Sequence, residues 1–296
     1  MIDALELAGA AGDMVIDRIA ARLTEAGAAN GRTEAAALVE AFGREGPALD
    51  AAVDRCVAGE PVGLVLGRAR FCGLSLEVMP GTLAPRAETE MLANRAIETL
   101  RSVIALNETV RLGNADGPLV VDMCCGVGNI ALAIATHVPT AMVHAADLTE
   151  ACVATAARNV ERLGLGARVM VHRGDLFGAV EGYVAKGTVD VIACNPPYIS
   201  TSRLAGDRAP LLAHEPREAF DAGPYGLGIH QRVIREAPAY LAPRGWLMFE
   251  FGAGQAKQIS LLFDRSKQFG PVSFVRDEAG VERVAYAQRK ESESNS

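Results

Sequence analysis

Residues 195–198 read Asn-Pro-Pro-Tyr and follow the apolar run Val189-Asp-Val-Ile-Ala-Cys194. A buried strand that stops on an amide, two prolines and a ring invites a chemical reading. The Asn195 side chain offers a carbonyl oxygen, and Pro196, which lacks an N–H, still offers its backbone carbonyl. Two acceptors at fixed geometry suit the two hydrogens of a planar NH₂ group. Pro196 and Pro197 stiffen the backbone, and Tyr198 supplies a ring to stack on the group carrying that nitrogen. Such a nitrogen is a weak nucleophile, so holding it in line with an electrophilic carbon is most of the help it needs. A proline turn that merely closes a strand is the bland alternative, and the neighbouring motifs argue against it.

A second cluster lies upstream. "VVDMCCGVGNIALAIA" (120–135) reads as strand, glycine turn and helix, with Gly126 and Gly128 allowing close backbone approach to a ligand. Asp147 ends the next strand, where a carboxylate can accept both hydroxyls of a ribose. Gly126 to Ala131 also satisfies G-x-G-x-x-A, so a dinucleotide such as NAD is a live reading. Asp122, before the glycines, argues against it: a pyrophosphate gains nothing from a nearby anion, whereas an ammonium does. S-adenosylmethionine is the favoured cofactor, with NAD and a purely structural loop as alternatives. Asp175 in "RGDLF" can accept from an adenine amine, with Leu176 and Phe177 over the ring; a capped loop with a buried Phe is the alternative. The cofactor-facing candidates are Asp122, Cys124, Gly126, Gly128, Asn129, Asp147, Leu148, Asp175, Leu176 and Asn195. No metal site is expected.

The elements that must position these residues alternate. Strands are predicted at 119–123, 141–147, 168–175, 189–195 and 245–251, with helices at 129–137, 150–164, 229–241 and 255–263 between or after them, and closing strands at 272–277 and 282–288. Such alternation implies an α/β fold with a mostly parallel sheet covered on both faces. Residues 1–60 read as three or four helices: "MIDALELA", "VIDRIAARL", "TEAAALVEAF" with Thr33 as N-cap, and "PALDAAVDRCVAG". A strand or hairpin is expected over 71–78, a helix from about Glu88, a loop over 107–118, and a disordered tail after 289. The domain reading is 1–70 helical, 71–110 linking hairpin and helix, 111–289 catalytic, and 290–296 tail.

Composition narrows the classes. Half of the 296 residues are hydrophobic, enough for a sizeable core. No apolar run approaches the roughly 20 residues of a membrane span, and the N-terminus lacks the pattern of a secretory signal. The six cysteines show no CxxC spacing, which suggests reduced, buried thiols in a cytoplasmic protein. Net charge is −7, and residues 1–80, with 7 Arg against 12 acidic residues, hold −5 of it. The basic footprint of a nucleic-acid binder is missing.

Taken together, "GEPVGLVLGRARFCGL", "LAPRAETEML", "VVDMCCGVGNIALAIA", "AADLTEACVATAARNVERLGL", "RGDLF", "CNPPYIS", "HEPREAFDAGPYGLGIHQRVI", "APRGWLMFEFGAGQ" and "RDEAGVERVAYA" resemble, in order, the segments of HemK-type release-factor glutamine methyltransferases. The likeness covers most of the chain from about Gly59. It implies a class I S-adenosylmethionine-dependent methyltransferase, Rossmann-like with a seven-stranded mostly parallel sheet, behind a small N-terminal helical domain that recognises the protein substrate. It implies methyl transfer to the glutamine side-chain amide in a Gly-Gly-Gln loop of peptide chain release factors. By position, Asn195, Pro196, Pro197 and Tyr198 would be catalytic. Arg86, Glu88, Thr89 and Glu215 would face the substrate, although the charged ones could equally form interdomain salt bridges. The chain departs from the pattern at Cys124, where the family carries the first glycine, at Cys72 for Trp, at Ala87 for Pro and at Tyr225 for Asp. A paralogue methylating a small-molecule nitrogen or a ribosomal-protein glutamine would share these features, and a nucleic-acid amine or a non-enzymatic binding module ranks below them.

Overall fold

The computed structural model describes residues 4–28, 30–106 and 117–291. The chain divides into two compact units, with the division between Ala69 and Arg70.

The first unit is helical. Helix α1 (Ala4–Glu25) runs unbroken through both apolar segments, since residues 9–14 between them contain no proline. Glycine in a helix costs about 1 kcal/mol but does not break it. Helix α2 (Gly31–Phe42) begins two residues before Thr33; Asn30 sits at the cap position, without a side-chain cap bond. Gly31 explains the early start, since a Cβ there would lie 2.4 Å from Thr24 Oγ1 and 2.9 Å from Ala20 O. Helix α3 (Pro47–Val57) starts on its proline, and the short α4 (Val62–Leu66) follows. Ile19, Leu23, Leu38, Leu49 and Val53 form the unit's apolar core.

The division falls inside β1 (Arg68–Phe71), which forms a two-stranded sheet with β2 (Leu74–Glu77). The turn between them is Cys72-Gly73, both at positive φ (46° and 81°), the geometry that two-residue hairpin loops favour. A 3₁₀ turn at Ala87–Thr89 leads into α5 (Glu90–Leu106). The expected loop over 107–118 and the expected tail lie mostly outside the described residues.

From there the alternation is realised: β3 (Leu119–Met123), α6 (Asn129–His137), β4 (Met142–Asp147), α7 (Glu150–Arg162), β5 (Val169–Arg173), β6 (Val189–Cys194), α8 (Thr201–Ala205), α9 (Gly228–Tyr240), β7 (Leu241–Glu250), α10 (Ala256–Ser266), β8 (Ser273–Arg276) and β9 (Glu282–Gln288). The sheet order is β5-β4-β3-β6-β7-β9-β8, with β9 antiparallel to both β7 and β8 and the other pairs parallel. Strand β7 starts four residues earlier than the pattern predicts. Its pairing with β6 slips between Val189↔Leu241 and Val191↔Trp246, which absorbs Pro243 and the positive-φ Arg244. Segment 199–227, which carries no clear period, folds as α8 and two 3₁₀ turns at Ala209–Ala213 and Arg217–Ala219.

The two faces of the sheet carry separate apolar clusters, one under α5, α6 and α7 and one under α9 and α10. Asn159 of α7, fully buried, ties the first face together. Its Oδ1 accepts from Glu77 N at 2.7 Å, and its Nδ2 donates to Glu77 O and Val127 O, both at 3.1 Å. One side chain thus holds β2 and the turn after β3. Each buried partner left unsatisfied costs about 1–3 kcal/mol. Asn159→Ala leaves three such partners, about 3 kcal/mol at the low end, and should lower the melting temperature by at least roughly 6–12 °C, at about 2–4 °C per kcal/mol. Thermal unfolding followed by circular dichroism checks this, and a shift under 2 °C would show that water replaces the amide without loss.

Candidate active site

Strands β3 and β6 pair in parallel through Met123↔Cys194, so Cys124 and Asn195 leave the sheet side by side. Above them lies a cavity of about 400 Å³. Its wall includes Cys124, Gly126, Asn129, Asp147, Leu148, Asp175, Leu176, Asn195 and Pro197, together with Arg86 and Thr89. Most of the residues picked out from the sequence therefore converge on one space. Asp122, Gly128, Glu88, Pro196, Tyr198 and Glu215 do not line it.

The glycine turn is left-handed at three positions: Cys124 (φ 58°), Gly126 (φ 56°) and Gly128 (φ 85°). Cys124 adopts this conformation at a cost of about 1–2 kcal/mol that glycine would avoid. At Gly126 no atom lies within 4 Å of where a Cβ would sit, so the bare backbone is open to a ligand. Gly128 instead serves packing: a Cβ there would lie 3.3 Å from both Ala156 Cβ of α7 and Leu132 Cδ1.

Asp147 ends β4, and its Oδ2 accepts from Gly126 N at 2.9 Å while Oδ1 accepts from Thr149 N at 3.0 Å. Each carboxylate oxygen has two lone pairs, so acceptor capacity remains toward the cavity. Leu148, 54% exposed, adds an apolar rim beside it. Asp122 is fully buried behind the turn; Oδ2 accepts from Ala131 N at 2.9 Å, and Oδ1 has no hydrogen-bond partner. An open glycine backbone, a carboxylate at the strand end, an apolar rim and an orphaned buried acceptor together suit a nucleoside carrying an amino-acid tail.

Asp175 lies in the wall, and each of its oxygens accepts one hydrogen bond from Arg232 of α9, at 3.0 and 2.9 Å, which leaves a lone pair on each. Phe177 stacks on Tyr240 in the core, ring centroids 4.9 Å apart, and leaves Leu176 alone at the wall. Glu215 is buried and bonds Arg86 and the Ala84 amide, which clasps the 84–89 segment to the 215–221 loop. Arg86 still reaches the cavity wall, whereas Glu88 is exposed.

Asn195 donates through Nδ2 to Thr89 Oγ1 at 3.2 Å, and Thr89 Oγ1 donates to Glu250 Oε2 at 2.7 Å. Tyr198 is not part of the cavity wall, and the Glu250 carboxylate lies near enough to act electrostatically on its hydroxyl. Gln255 Nε2 pins the Tyr198 carbonyl at 3.1 Å, and the Ile199↔Asp221 bridge holds the following residue. Glu250 and Gln255 are missed from the sequence, although an acid inside the otherwise apolar "GWLMFEF" was a visible signal. Three of the six cysteines are buried and three half-buried, and all are free thiols. Among the described residues no helix is long and apolar enough to cross a membrane, and no metal-binding cluster is present.

Burial pushes the Asp122 carboxyl up to about 8, opposed by the Ala131 amide and assisted by the Asp147 charge. The unfolded chain releases this proton near pH 4, so between about pH 4 and 8 the folded state holds the extra proton and loses stability as pH rises. Asp122→Asn keeps an acceptor for Ala131 and removes the charge. In the cofactor-free protein its melting temperature, relative to the parent, should rise by several degrees between pH 5 and pH 8.5. An equal difference at both pH values would show that Asp122 is ionised throughout.

Known proteins resemble this chain in sequence or in fold. Residues 106–219 match the methyltransferase small domain family. A release factor glutamine methyltransferase from Gloeobacter violaceus is 35% identical over 224 residues, covering 76% of this chain and 73% of its own length. A 4-amino-L-phenylalanine/4-methylamino-L-phenylalanine methyltransferase from Streptomyces pristinaespiralis is 36% identical over 211 residues, covering 71% and 68%. Among solved structures, the hMettl16 catalytic domain in complex with MAT2A 3′UTR hairpin 6 superposes with a TM-score of 0.53 at 15% identity, covering 81% of each chain, a likeness of fold alone. The fold is the α/β class I methyltransferase fold, and by its similarity along most of its length the chain belongs to the release factor glutamine methyltransferase family.

Proposed function

We propose that the protein transfers a methyl group from S-adenosylmethionine to the side-chain amide nitrogen of the glutamine in the Gly-Gly-Gln loop of peptide chain release factors. The observation that carries this reading is the Asn195 amide. Its NH₂ is engaged by Thr89, its Oδ1 is bonded by no protein donor among the described residues, and it stands beside the glycine turn on the cavity wall.

Gly126, Asn129, Asp147, Leu148, Leu176 and Cys124 would hold the cofactor, and Asp122 behind the turn, protonated in the free protein, would give up its proton when an ammonium group is bound nearby. Asp175, oriented by Arg232, would accept from the adenine amine with its remaining lone pairs. When bound, S-adenosylmethionine supplies an electrophilic sulfonium methyl. Asn195 Oδ1 and the Pro196 carbonyl accept the two N–H groups of the acceptor and stabilise positive charge as it builds on nitrogen. Pro196 and Pro197 hold both acceptors with little ordering left to do. Positioning of this kind is worth up to about 7–11 kcal/mol. The Glu215–Arg86 clasp shapes the acceptor side of the cavity. Substrate recognition is assigned to the helical unit.

A second reading has one observation in its favour. The Streptomyces relative, named for an aromatic amine, is as similar as the release-factor enzymes. An aryl NH₂ is also planar and weakly nucleophilic, so the same acceptors would serve it.

Incubation with labelled S-adenosylmethionine and purified release factor should label the parent factor and not its Gln→Ala version. Label on both, or on neither, refutes the release-factor reading, and label on 4-amino-L-phenylalanine alone supports the second. Asn195→Ala should reduce turnover at least 10³-fold, about 4 kcal/mol, while the thermal shift given by S-adenosylhomocysteine is kept.

A further inference from the structure

Asn195, Thr89 and Glu250 form a line of hydrogen bonds running from the cavity wall into the core, and both Thr89 (1% exposed) and Glu250 (3%) are buried. A threonine hydroxyl has one proton. While that proton is given to Glu250, Thr89 Oγ1 can only accept. Asn195 must then turn its NH₂ toward Thr89 and its Oδ1 toward the cavity. A protonated Glu250 permits the reverse: the carboxyl donates to Thr89, Thr89 donates to Asn195 Oδ1, and the amide rotates to show its NH₂ to the cavity. Two NH₂ groups facing each other offer no acceptor, so the reversed line cannot hold the methyl acceptor.

We propose that Glu250, acting through Thr89, is the positioning residue that sets which end of the Asn195 amide faces the methyl acceptor, so that transfer requires an ionised Glu250. The inference rests on the reading of Asn195 as the clamp for the acceptor nitrogen.

The surroundings of Glu250 place this choice near neutral pH. Burial pushes its carboxyl up to about 7, with the hydrogen bond from Thr89, the nearby Tyr198 hydroxyl and the charge of Arg283 on β9 opposing, and Glu88 on the 3₁₀ turn assisting. His230 of α9 reaches only the Glu250 backbone carbonyl, at 2.9 Å, and burial lowers its own value to about 4, so it stays neutral here. Asp122 titrates in the same range but bonds Ala131 and has no part in the line.

The first readout needs neither cofactor nor substrate. In ¹H–¹⁵N spectra of the free full-length protein, the Asn195 side-chain NH₂ signals, identified by their loss in Asn195→Asp, should shift with a midpoint near pH 7. The shift should persist in Asp122→Asn and vanish in Glu250→Gln. In the methylation assay, kcat/KM of the parent should rise about tenfold from pH 6 to pH 8, as one group near 7 ionises, and Glu250→Gln should flatten that limb. Thr89→Val should lower kcat at least tenfold, and Thr89→Ser should restore it. A titration of Asn195 that survives Glu250→Gln, or none in the parent, overturns the proposal. Failure of the parent to methylate a release factor at any pH counts against the proposed function and leaves the spectroscopic result standing.

Discussion

The in-register parallel pairing of β3 with β6 is the constraint on which the site depends. Val120↔Val191 through Met123↔Cys194 end together, so the turn after β3 and the residues after β6 emerge at the same level of the sheet. Parallel strands all point their carboxyl ends to one edge, where an open α/β sheet binds its ligands. A slip of one residue would invert the faces of β6, whose side chains are buried throughout, and would separate Cys124 from Asn195. The apolar clusters on the two faces hold that register, and the β4 end adds Asp147 to the same edge by its own pairing, Met123↔Ala146.

Around this edge the protein keeps polar groups where burial makes them costly. Asp122 has one oxygen unpaired, and Glu250 is buried with the Thr89 hydroxyl on its carboxylate. A buried carboxyl is held neutral unless partners compensate its charge. At Glu250 the partners are residues of the site itself, so the protonation of a core group and the orientation of an amide at the cavity wall are one equilibrium. Asn159 plays the quieter counterpart on the other face: all three of its hydrogen bonds go to fixing backbone.

The contacts around the cavity also separate residues that touch it from residues that shape it. Glu215 and Arg86 spend their charges on each other and on Ala84, and Arg232 occupies the carboxylate of Asp175. Gln255 and Asp221 fasten the segment after Pro197 from outside. Tyr225, at the family's Asp position, is 89% exposed on the loop that follows, and Cys72 closes the hairpin rather than packing as a large ring would.

Much of this was legible before folding. The 2-residue and 3.6-residue periods located the strands and helices of the α/β unit, since period reports which side of an element meets apolar neighbours. The glycines at 126 and 128, Asp147 at a strand end and Asn195 to Tyr198 at another are local signals, because turn chemistry and strand termini depend on adjacent residues. What sequence reading could not supply was partnership across distance. That Asp175 at the wall is paired with Arg232, and Thr89 with Asn195, depends on residues 57 and 106 positions away. The Thr33 cap failed because the close packing of Gly31 against Ala20 and Thr24 lies outside what adjacent residues report. The sequence by itself determined the elements, their order and the chemical groups at the strand ends, because those follow from neighbours in the chain. Only the tertiary structure decided which buried proton faces which acceptor, because that is set by distances between segments the chain brings together last.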